Sequence, residues 1–378
     1  MYSRILDLKT ILKRKSIFLL GPRQTGKSTL IKNFKEPFHF INLLQNGIFL
    51  RYQNDPDLLT REFSHKKSEL IIIDEIQRLP ELLNCVHLLI EDCQHRFLLT
   101  GSSARKLRKA GVNLLGGRAK QIFFSPLVSK ELGKDFNLIK ALSFGLLPSI
   151  YSSVNPSEDL EDYVGTYLKE EIQAEGAVRN IPSFSRLLQV AATCSGEMIN
   201  YSKIASDAQM SPSTTREHFQ ILYDTLVAIE VPSFFATVKR KAIQTSKFYF
   251  FDLGVVRAIL KRGEIKESDA DFGRFFEAFI FQELNTFSNY NSLSTLKYWR
   301  STSDYEVDFI LDDKMAIEVK ATKKVSKNDL KNLLALKEEN LCTSFYLVTR
   351  DTHEQIFDGI HCLCYKTFLD KLWEKTLE

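Results

Sequence analysis

The chain has 378 residues, of which 44% are hydrophobic and 26% are charged, an ordinary composition for a soluble globular protein. Its formal net charge of +4 permits a nucleic-acid partner but does not require one. The six cysteines form no CxxC pair and are not regularly spaced along the chain, which argues against a zinc site or a disulfide framework. Apolar runs are too short to span a bilayer, and no signal-peptide pattern opens the chain. We therefore expect a cytoplasmic protein without a membrane partner.

Short apolar runs alternate with helix-like stretches over residues 1–125. The runs are Ser16–Leu20, Phe38–Asn42, Leu70–Asp74, Phe97–Thr100 and Gln121–Phe124. Continuous apolar strands separated by helices indicate a parallel sheet covered on both faces. The pattern predicts an α/β domain in this part of the chain.

A phosphate-binding motif follows the first of these strands. The segment Gly21–Ser28 matches GxxxxGK[ST] in full and opens a helix, which is the context that this motif requires. Its glycines let backbone N–H groups close around phosphate oxygens, and a helix N-terminus favours an anion. Lys27 is predicted to reach the β- and γ-phosphates, and Ser28 to ligate Mg²⁺. The predicted ATP-binding residues are Gly21, Pro22, Arg23, Gln24, Thr25, Gly26, Lys27, Ser28 and Thr29.

The apolar strand Leu70–Asp74 ends in two acids, as a Walker B motif does. Asp74 is predicted to bind Mg²⁺, and Glu75 to orient and activate the attacking water. The next apolar strand ends in hydroxyls, and Thr100 or Ser102 is a candidate sensor of the γ-phosphate. An ordinary strand followed by a helix cap is the alternative for either residue.

One arginine is a candidate for stabilising transition-state charge. Arg118 follows two glycines and precedes the last strand of the predicted sheet, where an arginine finger or a sensor arginine could lie. A surface arginine without such a role is the alternative.

Residues 126–265 read as mainly helical. The stretch Asp159–Glu175 has apolar residues at helical spacing, so residues 126–180 are predicted to form a helical lid or linker. In residues 181–265 three helical segments precede a strand pair at Ser233–Val238 and Lys247–Asp252, which is the order of a winged helix-turn-helix.

The third helix of that segment carries polar side chains suited to nucleic acid. Its candidates for contact with double-stranded DNA are Ser213, Thr214, Thr215, Arg216 and His218. A structural winged helix that docks against the ATPase part is the alternative.

Residues 266–378 are predicted to form a separate α/β unit, with a helix from Phe272 and strands that include Glu306–Leu311. Asp308 and Glu318 each interrupt an apolar strand, and strand alternation places Glu318 and Lys320 on the same face. With Glu277 from the preceding helix, the two acids are predicted to hold Mg²⁺ or Mn²⁺, and Lys320 to polarise a water or the phosphate. An ion pair between Lys320 and one of the acids, without a metal, is the alternative.

These motifs together resemble bacterial and archaeal ATPases in which an AAA+ module is fused to winged-helix and restriction-endonuclease-like parts. The resemblance implies an AAA+ P-loop parallel sheet, a helical and winged-helix middle, and a C-terminal α/β domain of the PD-(D/E)XK type. In that family the helix near Tyr167 often continues Arg-Asp-Ile, whereas Lys169–Ile172 here reads Lys-Glu-Glu-Ile. A role for an arginine at that place is therefore absent or moved.

The combined expectation is a Mg²⁺-dependent ATPase that binds and hydrolyses ATP and acts on or with double-stranded DNA, with homo-oligomerisation left open. One alternative is an ATP-switched, DNA- or protein-binding regulator with an inactive nuclease fold, and another is a nucleotide-dependent scaffold with negligible turnover. The complete Walker B acids argue against the scaffold. The presence of Asp308, Glu318 and Lys320 argues modestly against an inactive fold.

Overall fold

The structure, a computed structural model, describes residues 2–103, 115–168, 180–236 and 239–377, without the side chains of residues 166–168. The departure from the resembled family at Lys169–Ile172 lies outside the described residues. None of the described helices is both long enough and apolar enough to cross a bilayer.

Five parallel strands form the N-terminal sheet in the order β2-β3-β4-β1-β5. The strands are β1 Ser16–Leu20, β2 His39–Asn42, β3 Leu70–Asp74, β4 Arg96–Gly101 and β5 Ala119–Phe123. The inner strand β1, between β4 and β5, is buried along its whole length, and Leu20 at its end lies opposite Gly101 at the end of β4. The predicted parallel sheet is confirmed. The loop after β1 therefore leaves the same edge of the sheet as the ends of β3 and β4.

Helices cover both faces of this sheet. They span Leu8–Leu12, Lys27–Lys32, Asn46–Asn54, Leu58–Phe63 and Leu82–Cys93. Phe18 and Leu20 pack into one hydrophobic cluster, and Ile17 and Leu19 into another. This alternation follows from the two-residue period of a strand, and it explains why β1 reads as an unbroken apolar run.

The middle of the chain is helical, as predicted. Its helices are Ser129–Leu132, Leu138–Phe144, Pro148–Tyr151, Pro156–Asp162, Ile181–Thr193, Tyr201–Asp207, Pro212–Asp224 and Leu253–Ile259. The helix predicted from Asp159 begins at Pro156 and passes at Tyr163 into a π-helical turn. Ser211 caps the third helix of the predicted winged helix, because its side chain accepts a hydrogen bond from the Thr214 backbone N–H at 3.1 Å.

A six-stranded sheet forms the C-terminal part, in the order β12-β13-β11-β10-β9-β8. The strands are β8 Lys297–Arg300, β9 Glu306–Leu311, β10 Met315–Val319, β11 Ser344–Thr349, β12 Gln355–Phe357 and β13 Ile360–Cys364. The helices Phe272–Asn291, Lys331–Lys337 and Tyr365–Glu374 complete this part. The apolar runs of the sequence predict strands at Thr295–Arg300, Glu306–Leu311, Met315–Lys320 and Thr343–Val348, and β8 to β11 lie within two residues of these bounds. Strands β12 and β13 were not predicted; β12 is a three-residue edge strand without a clear burial pattern, whereas β13 is a buried five-residue strand inside the sheet.

The strand pair after the third helix differs from the prediction. Strands β6 Ala228–Val231 and β7 Lys247–Phe250 pair antiparallel, so the first strand of the pair lies before the range predicted at Ser233–Val238, of which residues 237 and 238 lie outside the described residues. The chain after β6 instead follows the edge strand β8, where the Phe234 N–H donates to the Tyr298 carbonyl oxygen at 2.7 Å. The winged-helix assignment itself stays a prediction.

One hydrophobic cluster extends from Leu127 to Leu372, through the helical middle and one face of the C-terminal sheet. The long helix Phe272–Asn291 also reaches the N-terminal sheet, where the Asn289 side chain exchanges two hydrogen bonds with the backbone of Phe123 at the end of β5. These contacts join the long helix to the end of β5, next to the P-loop. The predicted boundaries at residues 125, 180 and 265 remain predictions.

Candidate nucleotide-binding site and C-terminal carboxylate cluster

The P-loop closes around the ammonium group of Lys27. Lys27 Nζ donates to the carbonyl oxygens of Gly21 at 2.6 Å and Pro22 at 3.0 Å, and Thr25 Oγ1 donates to Pro22 at 2.8 Å. Gly26 directly precedes the helix Lys27–Lys32, so the first backbone N–H groups of that helix face the loop. The loop thus has the compact shape and the helix terminus that bind phosphate.

Two glycines of the loop are required for different physical reasons. A Cβ atom at Gly21 would lie 2.3 Å from the carbonyl oxygen of Phe124, so only glycine allows β1 and the end of β5 to approach this closely. Gly26 has a φ of +96°, a backbone conformation that side chains disfavour. Packing and backbone geometry therefore require glycine at the two positions where the motif has it.

The predicted Walker B acids and hydroxyls converge at the edge of the sheet beside this loop. Asp74 is buried and accepts a hydrogen bond from the Thr100 hydroxyl. The amide of Gln77 donates to the Glu75 carboxylate and, at 3.1 Å, to Ser102 Oγ. The structure therefore brings Asp74, Glu75, Thr100 and Ser102 together, and adds Gln77, which the sequence analysis did not assign a role. A polar residue two places after the second acid, between Ile76 and Arg78, was the available signal.

The environment of Glu75 suits a base. Burial raises the pKa of the Glu75 carboxyl, the positive charge of Lys27 opposes that rise, and the negative charge of Asp74 adds to it. A raised pKa strengthens the carboxylate as a proton acceptor. The chemistry of the neighbouring donors, the Ser28 hydroxyl and the Asp74 carboxylate, fits Mg²⁺, which prefers oxygen ligands.

An N-terminal arginine, also missed from sequence, ties the P-loop to the rest of the molecule. Arg4 is paired with Glu131 at 2.9 Å, and both side chains are buried. Its guanidinium also donates to the carbonyl oxygens of Thr25 at 2.7 Å, Ser125 at 2.8 Å and Pro126 at 3.1 Å. The fork of an arginine can make several such bonds at once, so Arg4 fixes the P-loop relative to the segment after β5.

Arg118 does not lie at the nucleotide edge of its own chain. The strand β5 begins at Ala119 opposite Ser16, whereas the P-loop follows Leu20 at the other end of β1. Five strand residues separate these edges by roughly 16 Å. Arg118 also pairs with Glu91 on the surface. A sensor role toward its own P-loop is therefore wrong, and only a role in a neighbouring subunit remains as a prediction.

The DNA-contact candidates separate into two groups. Ser213 and Arg216 are exposed, and Thr214 is half-buried. Thr215 is buried and donates to the Ser211 carbonyl oxygen at 3.0 Å. His218 is buried against the ring of Phe184, with 5.1 Å between the ring centroids, and burial lowers its pKa. The predicted DNA contacts of Thr215 and His218 are therefore wrong, because these side chains face the core.

The segment between β6 and β7 binds the C-terminal part instead of extending into solvent. Arg240 donates to Glu338 at 2.6 Å, and its backbone N–H donates to Glu339 at 2.9 Å. Lys239 Nζ donates to the Glu338 carbonyl oxygen at 2.7 Å. The basic side chains at this place thus pair with the end of the helix Lys331–Lys337.

The predicted C-terminal acids lie side by side. Register between β9 and β10 pairs Phe309 with Ile317, and one further step places Asp308 opposite Glu318. Asp308 accepts a hydrogen bond from the Val319 N–H at 2.8 Å, and Glu318 pairs with Lys320 at 2.7 Å. Burial and the charge of a neighbouring carboxylate together raise the pKa of Asp308 to about 7 and that of Glu318 to about 8.

Two residues of β7 enter the same cluster and were not predicted. The Tyr249 hydroxyl donates to Glu277 at 2.5 Å. Lys247 forms an ion pair with Glu306 and lies 4.0 Å from Glu277. Lys247 is the only charged residue in the otherwise aromatic strand Lys247–Phe250, which was the available signal.

The predicted metal set of Asp308, Glu318 and Glu277 is not formed. Over the described parts of the chain, no three His, Cys, Asp or Glu side chains are arranged to hold a metal ion. The physical reason is that Glu277 is held by Tyr249 and Lys247, while Glu318 is held by Lys320. The ion pair of Lys320 with Glu318, the alternative given by the sequence, is the arrangement found.

Comparison with protein families gives three adjoining matches. Residues 13–133 match a family described as an AAA domain. Residues 135–266 and 272–368 each match a family described only as a domain of unknown function (DUF8612 and DUF4143).

Relatives and solved structures add little to these matches. Two uncharacterized proteins, from Mycobacterium tuberculosis and Mycobacterium bovis, are each 26% identical over 313 residues, which is 81% of this chain and 69% of the relative. The Drosophila ORC structure bound to AT-rich DNA and Cdc6 matches at 10% identity and a TM-score of 0.23, over 67% of this chain and 88% of that one. The structure of Can2 from Sulfobacillus thermosulfidooxidans in complex with cyclic tetra-adenylate matches at 10% identity and a TM-score of 0.23, over 90% of this chain and 100% of that one. Such TM-scores support no argument. By its sheet and its family match, the N-terminal part of the chain is an AAA-type, P-loop ATPase-like region.

Proposed function

We propose that this protein is a Mg²⁺-dependent ATPase that binds ATP at the loop Gly21–Ser28 and hydrolyses it. The observation that supports the proposal most is the convergence of Lys27, Asp74 and Glu75 at one edge of the parallel sheet. Lys27 supplies positive charge at the loop, and Glu75 is a buried carboxylate with a raised pKa beside it.

The proposed reaction is an in-line attack of water on the γ-phosphorus of ATP. Glu75 orients the water and accepts its proton, and the bond between the γ-phosphorus and the bridging oxygen breaks to release ADP and phosphate. Lys27 and the backbone N–H groups of the loop hold the phosphates, and Gln77 fixes the Glu75 carboxylate. Ser28 and Asp74 would hold Mg²⁺, which supplies positive charge toward the phosphate oxygens when it is bound.

Action on or with double-stranded DNA is a second, weaker part of the proposal. It rests on exposed Ser213 and Arg216 at the start of the third helix and on the net positive charge of the chain. The burial of Thr215 and His218 reduces the surface available for reading bases. The contacts of Arg240 and Lys320 with acidic side chains favour the regulator alternative, in which the C-terminal part is a platform and not a nuclease.

Substitution of the P-loop lysine tests the ATPase proposal. Lys27→Ala should abolish detectable ATP binding and turnover, because the buried ammonium of Lys27 is the charge placed to reach the β- and γ-phosphates. Lys32→Ala is the matched control, since Lys32 is exposed at the end of the same helix. Binding is measured with a fluorescent ATP analogue and turnover by phosphate release. Hydrolysis by Lys27→Ala at the rate of the unaltered protein would overturn the proposal.

A further inference from the structure

A cavity of about 480 Å³ lies where the N-terminal sheet, the middle of the chain and the long helix Phe272–Asn291 meet. One of its walls is the start of the P-loop, at Gly21 and Pro22, together with residues 123–126 at the end of β5 and after it. Strand β6 forms a second wall, and the long helix forms a third. The volume of this cavity lies in the range of small-molecule sites, which occur preferentially where parts of a protein meet.

The described walls of the cavity are aromatic and almost free of charge. Phe124, Phe251 and Phe281 are buried residues of this lining, and Tyr223 adds a fourth ring. Of the described residues that line the cavity, only Glu230 is charged, and it is exposed. An anionic ligand would therefore meet no compensating cation in these walls. The lining suits a flat and uncharged ring.

The long helix presents polar side chains to the cavity. Four of them line it at the i, i+3, i+4 and i+7 spacing of one helix face, namely Gln282, Asn285, Thr286 and Asn289. Gln282 is only 5% exposed, and neither the oxygen nor the nitrogen of its side-chain amide has a hydrogen-bond partner among the described residues. Leaving a buried amide unpaired costs free energy. This cost is removed when a ligand supplies both a donor and an acceptor.

We propose that this cavity binds a small, uncharged purine that carries an exocyclic amine, as a free base or a nucleoside, and that the Gln282 amide recognises it. A carboxamide can form two hydrogen bonds at once with the edge of an adenine-type base, where an N–H donor lies next to an acceptor nitrogen. The aromatic side chains of the walls bury the faces of the ring. Both amide atoms of Gln282 are enclosed, so a change of its rotamer has to expose them to the ligand.

This ligand is a second one, beside the ATP proposed for the P-loop. The cavity borders only the first residues of the loop, and its nearly uncharged walls do not suit a triphosphate. The proposal therefore does not rest on ATP hydrolysis.

Adenosine binding to the full-length protein tests the proposed ligand class. Titration calorimetry is carried out with Mg²⁺ and a saturating, non-hydrolysable ATP analogue present, so that adenosine does not occupy the P-loop. The unaltered protein should bind one adenosine. Purine riboside, which lacks the exocyclic amine, should bind about tenfold or more weakly, because one of the two hydrogen bonds is lost. Adenosine monophosphate should also bind more weakly than adenosine, because its phosphate adds a negative charge near Glu230.

Substitution of Gln282 tests the proposed recognition residue. Gln282→Met keeps the length of the side chain and removes the amide, so adenosine affinity should fall about tenfold or more. Gln189→Met, at an exposed position outside the cavity lining, is the matched control and should bind adenosine as the unaltered protein does. An unchanged melting temperature confirms that each variant is folded, since the Gln282 amide has no partner among the described residues to lose.

The comparison of adenosine with purine riboside on the unaltered protein decides the question if Gln282→Met does not fold. Three results overturn the proposal: no adenosine binding by the unaltered protein, equal affinity for adenosine and purine riboside, or equal adenosine affinity with and without the Gln282 amide. A failure of the ATPase proposal would leave this test intact, because its readout is adenosine affinity at Gln282 and not turnover.

Discussion

At the scale of single residues, Glu75 combines burial, a raised pKa and an unusual backbone conformation. It is buried, burial raises its pKa, and its φ of 61° places a residue with a side chain in the left-handed region of the backbone. Such backbone conformations persist only where surrounding contacts hold them, and they cluster at functional sites. The hydrogen bond from Gln77 is one of those contacts.

Replacing Gln77 should slow hydrolysis more than it weakens ATP binding. Gln77→Met removes the amide that joins Glu75 to Ser102 without opening a large cavity, so the carboxylate loses its fixed orientation. We expect turnover to fall on the order of tenfold or more, with ATP affinity nearly unchanged. Phosphate release and equilibrium binding measure the two quantities, and Gln189→Met, at an exposed helical position, is the control. A loss of ATP affinity equal to the loss of turnover would contradict the positioning role.

Arg216 is the residue through which DNA binding is tested. If it reads a base, Arg216→Ala should weaken double-stranded DNA binding by about 1–3 kcal/mol, and if it contacts phosphate, the salt dependence should fall by about one unit. Fluorescence anisotropy at several salt concentrations distinguishes these outcomes, with exposed Lys366→Ala as the control. An affinity and a salt slope that stay unchanged would show that this helix is structural.

At the scale of elements, the long helix Phe272–Asn291 connects the parts of the molecule. The Glu283 carboxylate in this helix is fully buried and accepts hydrogen bonds from the Ser129 backbone N–H at 2.6 Å and from Trp373 Nε1 at 2.7 Å. Near the P-loop, Ser149 Oγ donates to Gln24 at 2.9 Å, so the predicted lid also contacts the nucleotide loop. Movement of the helix Phe272–Asn291 or of the helix that contains Ser149 would therefore displace contacts near the nucleotide loop.

The stability of this junction should fall as the pH rises. Burial, with a smaller contribution from the charge of Glu131, raises the pKa of Glu283 to about 7, against hydrogen bonds from Ser129 and Trp373 that lower it. A group whose pKa is higher in the folded protein stabilises it fully below the unfolded pKa, and that stability is lost as the pH passes the folded value. The loss between pH 5 and 8 should be roughly 3 kcal/mol. Urea unfolding followed by Trp373 fluorescence measures the free energy of unfolding at each pH. Glu283→Gln should flatten its pH dependence. An identical dependence in both proteins would refute this assignment.

The elements that the sequence predicts well are those in which local pattern and tertiary environment agree. Strand β1 at Ser16–Leu20 and strand β9 at Glu306–Leu311 are apolar runs bounded by loops, and the structure gives both with the predicted bounds. The first strand of the middle pair was misplaced because Ser233 and its neighbours also read as extended, and they are extended, but along β8. An extended segment pairs with a strand that is distant in the sequence, so its own local pattern does not predict which strand that is.

The residues of the candidate site likewise fall into those that a local pattern predicts and those that it does not. Residues within a contiguous motif, such as Lys27 and Asp74, could be predicted, since the spacing of the motif alone indicates their chemistry, and their roles stay predictions. Arg4, Gln77 and Lys247 were not found, because each acts through a partner brought near by folding. Arg118 was misjudged for a related reason, since only the sheet register shows which edge a residue occupies.

At the scale of the whole molecule, the nucleotide loop and the carboxylate cluster lie in different parts joined by shared contacts. Arg4 and Asn289 connect the P-loop region to the middle and to the long helix, while Arg240 and Lys247 connect the middle to the C-terminal sheet. A change at the P-loop thus has a continuous physical route to β7 and the cluster. Arg118 lies at the opposite edge of the N-terminal sheet, where it pairs with Glu91 on the surface.

Substitution of Glu75 tests the central claim, ATP hydrolysis at this loop, most directly. Glu75→Gln keeps the size of the side chain and the Lys27 charge but removes the carboxylate that accepts the proton. ATP binding and single-turnover hydrolysis are measured on the same preparation, with Glu81→Gln at a nearby exposed position as the control. The account predicts that Glu75→Gln binds ATP as tightly as the unaltered protein and hydrolyses it at least about a hundredfold more slowly. Hydrolysis at the unaltered rate, or loss of ATP binding together with hydrolysis, would contradict it.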